Sequence, residues 1–254
     1  MTRYLTIDLG TTLLKFAAFD ECGQMQAVVR LAPPIEHPQP NRWELSVDAL
    51  RRTIIAGIAQ VRALSSLEGV AAVSFASQAN SFTLLDGSDR PLCPIILWPD
   101  ERAADEASAL TAAAARPGFS RQTGLPALGV QFSPAKLRWL ARAHPSVVAS
   151  SPRLFFISDL LTYWFTRKHV TEAGVAGLSG AVDIRAMRWR DDALAELGFS
   201  GVTRPELARA GSDLGLIDAA CADEVGLPRG CRFVVGCLDQ YAGAIGRQAS
   251  RPAR

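Results

Sequence analysis

The chain has 254 residues, with 27 Lys and Arg against 25 Asp and Glu, 48% hydrophobic and 20% charged positions, 20 Gly and 15 Pro. This composition belongs to a globular protein with a sizeable core, long enough for one large domain or two small ones, and it excludes a disordered chain or a coiled coil. A formal net charge of +2 offers no long-range attraction to nucleic acid or to an anionic membrane, so no partner of either kind is expected.

Tyr4 to Leu9 alternates and is rich in strand formers. Gly10-Thr11-Thr12 breaks it, Leu14 to Phe19 resumes an apolar run, and the turn Asp20 to Gly23 leads into a third strand, Gln24 to Leu31. Pro33, Pro34, Pro38 and Pro40 then interrupt regular structure. Ser46 caps a helix whose apolar positions Val47, Leu50, Ile54, Ile58 and Val61 step by three or four. Val70 to Phe75 has the continuous apolar character of a strand buried on both faces, and Phe82 to Leu85 and Ile95 to Trp98 follow as strands, with Asp86-Gly87 between them. Asp100 to Ala115, Pro134 to Ala143 (opened by Ser133) and Ile157 to Phe165 read as helices. Near the end come a strand (Arg232 to Val235), a turn (Gly236 to Asp239) and a helix (Gln240 to Ile245). Arg247 to Arg254 has no apolar periodicity and reads as a tail. Strands interleaved with amphipathic helices predict an α/β domain with a mixed sheet of about five strands.

Cys22, Cys93, Cys221, Cys231 and Cys237 form no C-x-x-C pair and no even set, and read as reduced, mostly buried thiols. Met1 to Leu9 enters a strand pattern without a basic-then-apolar leader, and no run of 18 apolar residues occurs. The expected location is the cytoplasm.

Asp8 closes an apolar strand and is followed by Gly10, Thr11, Thr12 and Lys15 within one tight hairpin. The N–H groups of a Gly-containing turn, two hydroxyls and an ammonium suit a phosphoryl group, while the carboxylate beside them suits Mg²⁺ held through water. The same run also suits a hairpin whose Asp only caps its turn. Asp239, in G-C-L-D-Q-Y-A-G-A-I-G, stands where a general base would reach an acceptor hydroxyl, and where Asp more commonly serves as a helix N-cap. Trp98-Pro99-Asp100-Glu101-Arg102 puts an indole face, a carboxylate and a guanidinium at one rim, an arrangement that suits a polyol and equally a capped helix start. Gln78, Asn80 and Ser81 follow the Val70 to Phe75 strand, where open α/β sheets expose ligand loops; they are also ordinary turn residues. There is no P-loop, dinucleotide or nucleophile-elbow motif. His37, His144 and His169 lie too far apart in sequence to suggest a metal site or a triad.

Together and in order, these segments resemble the N-terminal domain of the FGGY carbohydrate kinases, most nearly the xylulokinase-like members. I-D-L-G-T-T-L-L-K (Ile7 to Lys15) is similar to the family's first phosphate motif, and S-Q-A-N-S-F-T-L-L-D with P-I-I-L-W-P-D-E-R to its substrate-contacting strands. T-E-A-G-V-A-G-L-S-G-A-V-D (Thr171 to Asp183) is similar to the segment after a helical insertion, and G-C-L-D-Q-Y-A-G-A-I-G to the catalytic-base motif. The resemblance implies a ribonuclease-H-like fold of the actin/hexokinase type over residues 1–246, a mixed sheet flanked by helices with a helical insertion, followed by a tail over 247–254. It implies ATP-dependent phosphorylation of a small sugar or polyol with Mg²⁺ as cofactor. Asp239 would take the hydroxyl proton, Asp8 would organise Mg²⁺ through water, and Gly10, Thr11, Thr12 and Lys15 would lie near the phosphoryl group. Gln78, Ala79, Asn80, Trp98, Asp100 and Gln240 would face the substrate.

The chain departs from the family pattern at Ala79-Asn80, where xylulokinase-like members commonly carry Met-His, and at Gly174, Val175 and Gly177, where small polar residues are usual. Nothing in it resembles the family's C-terminal domain, which holds most of the ATP site. The expectation is therefore an N-terminal half, inactive alone, whose partner is a separate C-terminal-domain chain or a second copy of itself. The alternative is a non-catalytic sugar-binding or protein-interaction remnant. A phosphatase or nuclease on a related fold would need more clustered carboxylates than Asp8 and Asp239.

Overall fold

The computed structural model describes residues 2–249. The chain opens with an antiparallel meander of β1 (Arg3–Leu9), β2 (Leu14–Asp20) and β3 (Met25–Leu31). Inward side chains of β1 alternate as Leu5, Ile7 and Leu9, all fully buried, as period-two patterning requires. Helix α1 (Val47–Leu64) follows; the Ser46 hydroxyl accepts from Ala49 N at 3.4 Å and so caps it. The apolar stripe of α1 packs on the meander at Gly57, where a Cβ would stand 2.3 Å from the Phe16 ring. No side chain larger than hydrogen fits there.

Strand β4 (Val70–Ser77) returns parallel to β1. After a long excursion containing α2 (Ile157–Thr166), the chain re-enters the main sheet as β5 (Asp213–Leu216), passes through α3 (Ala219–Val225), and finishes with β6 (Arg232–Val234), β7 (Cys237–Leu238) and α4 (Asp239–Ala249). The sheet has seven strands in the order β5-β6-β4-β1-β2-β3, with β7 also paired to β4. It is mixed: β1, β6 and β7 run parallel to β4, and the remaining pairs are antiparallel.

Five short strands make a second sheet, in the order Ile35–Glu36, Glu44–Leu45, Ile95–Ile96, Phe82–Leu85 and Arg153–Phe156. Its outer face meets the helical excursion, built around helices Ala107–Ala114 and Ser133–Ala143. Two hydrophobic clusters result, one between the main sheet, α1 and α2, the other within the excursion.

Several expectations change. Asp100 to Ala115 is not one helix: Ala104–Glu106 is a 3₁₀ turn and the helix spans Ala107–Ala114, because the Asp100 carboxylate accepts from Arg102 N at 3.0 Å and holds the start in a turn. The turn expected at Gly236 to Asp239 contains β7, a non-local pairing that no local pattern announces. The sheet has seven strands rather than about five for the same reason. Helix α4 continues to Ala249, into the stretch read as a tail, and residues 250–254 lie outside the described residues. All five cysteines are free thiols, but only Cys221 and Cys231 are buried. Among the described residues, no helix is long and apolar enough to cross a membrane.

Candidate functional site

The carboxyl ends of three parallel strands meet at one edge of the sheet. Leu9 of β1 and Leu238 of β7 both pair with Ser77 of β4, one on each side, so Asp8, Ala76 and Cys237 share a row. Two strand spacings, about 10 Å, separate the outer members of that row. Asp239 follows directly and opens α4. Crevices outside the carboxyl ends of parallel strands are where open α/β sheets hold ligands.

An open cleft of about 670 Å³ lies along this edge, lined by Asp8, Gly10, Thr11, Thr12 and Lys15 from the hairpin and by Asp239, Gln240 and Gly243 from α4. Gly10 lets the hairpin close, since a Cβ there would stand 2.6 Å from the Leu13 carbonyl oxygen. Lys15 is opposite Asp8 in the ladder, and its Nζ donates to Asp8 Oδ2 at 2.8 Å. Asp239 Oδ1 accepts from Gln240 N at 2.7 Å. The two carboxylates singled out by sequence therefore face one cleft.

On the far side of Thr11 lies a more enclosed cavity of about 310 Å³, bounded by Thr11, Gln78, Ala79, Asn80, Trp98, Gln131, Phe132, Leu178, Leu238, Asp239 and Gln240. Its polar walls are cross-braced. Gln78 Oε1 accepts from Thr11 Oγ1 at 3.1 Å and from Ser81 Oγ at 2.8 Å. Trp98 donates twice, from Nε1 to Thr11 Oγ1 at 2.8 Å and from its main-chain N to Ser81 Oγ at 2.9 Å. Asn80 sits at a φ of +63°, a region that Asn tolerates better than most residues, and its Oδ1 accepts from Ser133 N at 3.0 Å. These residues are held before any ligand arrives.

Asp100 does not line this cavity. It is fully buried and its carboxylate is consumed: Oδ2 accepts from Trp43 N at 2.8 Å and from Arg102 Nη2 at 2.8 Å, and Oδ1 from Arg102 Nε at 2.7 Å. Arg102 also reaches Glu44 at 2.5 Å. This buried cluster supports the Trp98 loop from behind.

Sequence reasoning missed Gln131, Phe132, Leu178 and Lys136. The first three carry no local signal for a ligand wall. Lys136 does carry a signal: it falls on the apolar stripe of its helix, four residues before Leu140, and is fully buried. Its Nζ donates to the main-chain oxygens of Trp98 at 2.9 Å and Gln131 at 2.6 Å. Burial brings its ammonium down to about 7, against a partial pull upward from Asp100. In the Thr171 to Asp183 segment, the Glu172 carboxylate accepts from Gly174 N at 2.8 Å and Val175 N at 2.9 Å. Burial raises its pKa, partly offset by those bonds. Glu172 is thus a buried cap behind the cavity wall.

The family model for the FGGY family of carbohydrate kinases, N-terminal domain, matches residues 3–246. The chain is 25% identical to the xylulose kinase of Lactococcus lactis, covering 97% of this chain and 49% of that protein. It is 31% identical to the glycerol kinase of Rhizorhabdus wittichii, covering 99% of this chain and 51% of that protein. A crystal structure of a xylulose kinase from Brucella ovis superposes with a TM-score of 0.84 at 28% identity, over 94% of this chain and 49% of that one. The xylulose kinase of Rhodospirillum rubrum, at 24% identity, shares the fold with a TM-score of 0.88 over 98% of this chain and 51% of that one. The chain spans about half the length of the relatives it matches. With an actin/hexokinase-like α/β fold and a family match running almost end to end, the chain belongs to the FGGY family of carbohydrate kinases and corresponds to their N-terminal domain.

Proposed function

We propose that this chain binds a small, uncharged sugar or polyol in the enclosed cavity and presents one hydroxyl for phosphorylation by ATP bound along the open cleft. One observation carries the reading: Thr11, Asp239 and Gln240 line both spaces at once. A hydroxyl of a ligand in the first space meets a phosphate in the second at the Asp239 carboxylate. Amides, a hydroxyl, an indole and the apolar Ala79, Phe132, Leu178 and Leu238 make the rest of the cavity, a mixture that suits hydroxyls and C–H faces. Among its lining residues there is no Lys or Arg to receive an acidic sugar.

In the transfer, the ligand's hydroxyl oxygen attacks the terminal phosphorus, its proton passes to Asp239, the bond to the bridging oxygen breaks and ADP leaves. Gly10 N–H, the Thr12 hydroxyl and the Lys15 ammonium supply donors and positive charge for the phosphoryl oxygens, with Thr11, its hydroxyl committed to Gln78, shaping the boundary between the two spaces, so the chain acts by positioning and electrostatic neutralisation. Mg²⁺ typically keeps waters and takes one or two carboxylates plus phosphates, and Asp8 with Asp239 nearby fits that donor set. Asp8 would hold the ion through water, where it would neutralise phosphate charge. Among the described residues no group of three or more His, Cys, Asp or Glu gathers for a metal, as a phosphatase or nuclease reading would require.

A second reading is a sugar-binding or protein-interaction piece without turnover. Helix α4 presents Tyr241, 50% exposed, and Ile245, 61% exposed, one turn apart beside the cleft, an apolar face suited to a separate C-terminal-domain chain or a second copy. Calorimetric titration with pentoses, hexoses and polyols tests binding, expected at roughly millimolar affinity with one wall open. A coupled ADP-release assay on the chain alone is expected to show negligible turnover, because an unclosed cleft leaves the phosphates in water. No binding by any member of the panel defeats the carbohydrate reading of the cavity.

A further inference from the structure

Lys136 lies in the first half of helix Ser133–Ala143 and is fully buried. Burying an ammonium is costly, and an apolar side chain would fill the same volume without that cost. Its two bonds go to main-chain oxygens, of Trp98 at 2.9 Å and of Gln131 at 2.6 Å. Both acceptors belong to residues that line the enclosed cavity, one on the loop after strand Ile95–Ile96 and the other on the turn before the helix. Trp98 is already tied to the opposite wall, through its indole to Thr11 and through its main-chain N to Ser81. Asn80 ties the cavity floor to the head of the same helix through Ser133 N.

We propose that Lys136 is a positioning residue of the carbohydrate cavity: it fastens the main chain of Trp98 to that of Gln131 and thereby fixes the gap between the two walls that carry these side chains. The proposal rests on the carbohydrate reading of the cavity. Charge-assisted bonds to two carbonyls are stronger than neutral ones, and a wall held within a fraction of an ångström is what selective contact with hydroxyls requires. The charges that face the ammonium are those of Asp100, which favours it, and Arg102, which opposes it; Glu44 in turn pairs with Arg102. Burial lowers its pKa to about 7, so the strength of the tie changes in the neutral range.

Amide hydrogen exchange on wild type and Lys136→Met, with D-xylulose and glycerol as probes, tests this. In the variant, exchange at residues 97–98 and 130–132 is expected to accelerate at least tenfold while β1 and β4 keep their protection. The dissociation constant of whichever probe the wild type binds is expected to rise at least tenfold. Unchanged exchange at both walls, or an unchanged constant, overturns the proposal. Failure of the wild type to bind either probe defeats the proposal together with the carbohydrate reading for these ligands, a result distinct from a variant that binds normally. A second measurement needs no variant and holds where Lys136→Met does not fold. The Lys136 Cε and Trp98 indole resonances of the wild type are expected to titrate together, with a midpoint near the value of about 7. A Trp98 signal that stays still while Lys136 titrates overturns the proposal.

Discussion

Gly236 lies against the main-chain oxygen of Phe75 so closely that a Cβ on it would stand 1.8 Å from that atom. The approach lets the chain leave β6 and rejoin β4 as β7, in the register that sets Leu238 beside Ser77 and delivers Asp239 to the cleft. Gly236→Ala must push the two main chains apart. A loss of about 3 kcal/mol is expected, seen as a fall of roughly 6–12 °C in thermal melting. An unchanged melting curve would show that the junction tolerates the methyl group and that this contact does not control the register.

Asp239 is half-buried, and its Oδ1 accepts from Gln240 N, a bond that an amide oxygen also accepts. Asp239→Asn is therefore expected to melt within about 0.5 kcal/mol of wild type. In a form joined with a C-terminal domain it should lose roughly 10²–10⁴ of the rate, since the amide cannot take the hydroxyl proton. The coupled ADP assay on that form decides, and a retained rate dismisses Asp239 as base.

The charge of the cavity predicts its preference. Asp239 is the charged residue among those lining it, so the carboxylate of an aldonate about 6 Å away would meet repulsion worth roughly 100-fold in affinity at an effective dielectric of about 20. Paired calorimetric titrations of a polyol and the aldonate of equal carbon number should show that ratio, and Asp239→Asn should shrink it. Equal binding of the pair would contradict the uncharged-ligand reading.

Lys136 makes stability depend on pH with a definite sign. Its folded pKa of about 7 lies below its ordinary 10.5, so between those values the unfolded chain holds the extra proton and stability rises with pH, by up to about 1.4 kcal/mol per pH unit. Burial raises Cys221 to about 11 and Cys231 to about 12 from 9.0. Folded thiols then keep protons that unfolded ones release, which lowers stability above pH 9. The clean window is pH 7 to 9. Urea midpoints measured across it are expected to climb in wild type and to flatten in Lys136→Met; a flat wild-type profile would mean that the amine is not depressed.

Asp100→Ala separates support from contact. Removing the carboxylate leaves Arg102 buried with Glu44 as its remaining ionic partner, a loss of about 3–5 kcal/mol that should register in melting before any ligand is added. Wild-type melting combined with lost polyol binding would instead make Asp100 a direct contact.

Much of this protein is local, and for that reason its sequence determined it. The alternation of Tyr4 to Leu9, the turn at Gly10, the Ser46 cap and the three-and-four spacing through Val61 are short-range properties, and they reappear as β1, the hairpin and α1 within a residue or two. That Asp8 and Asp239 would line one cleft was legible because each stands at the end of a strand-like run. What only the tertiary structure decided depends on partners far away in the chain. Asp100 reads as a ligand contact until Trp43 and Arg102 are seen to occupy its oxygens. Cys237–Leu238 is too short to read as a strand until Ala76 and Ser77 lie beside it. Phe132 and Leu178 become a wall because they pack on the second cluster, and Gln131 joins them through its main-chain bond to Lys136. A polar side chain is equally content in water, in a ligand site or in a buried network, and its own sequence neighbours do not choose among them; the choice is made by whichever distant donors and acceptors the packed elements bring within 3 Å.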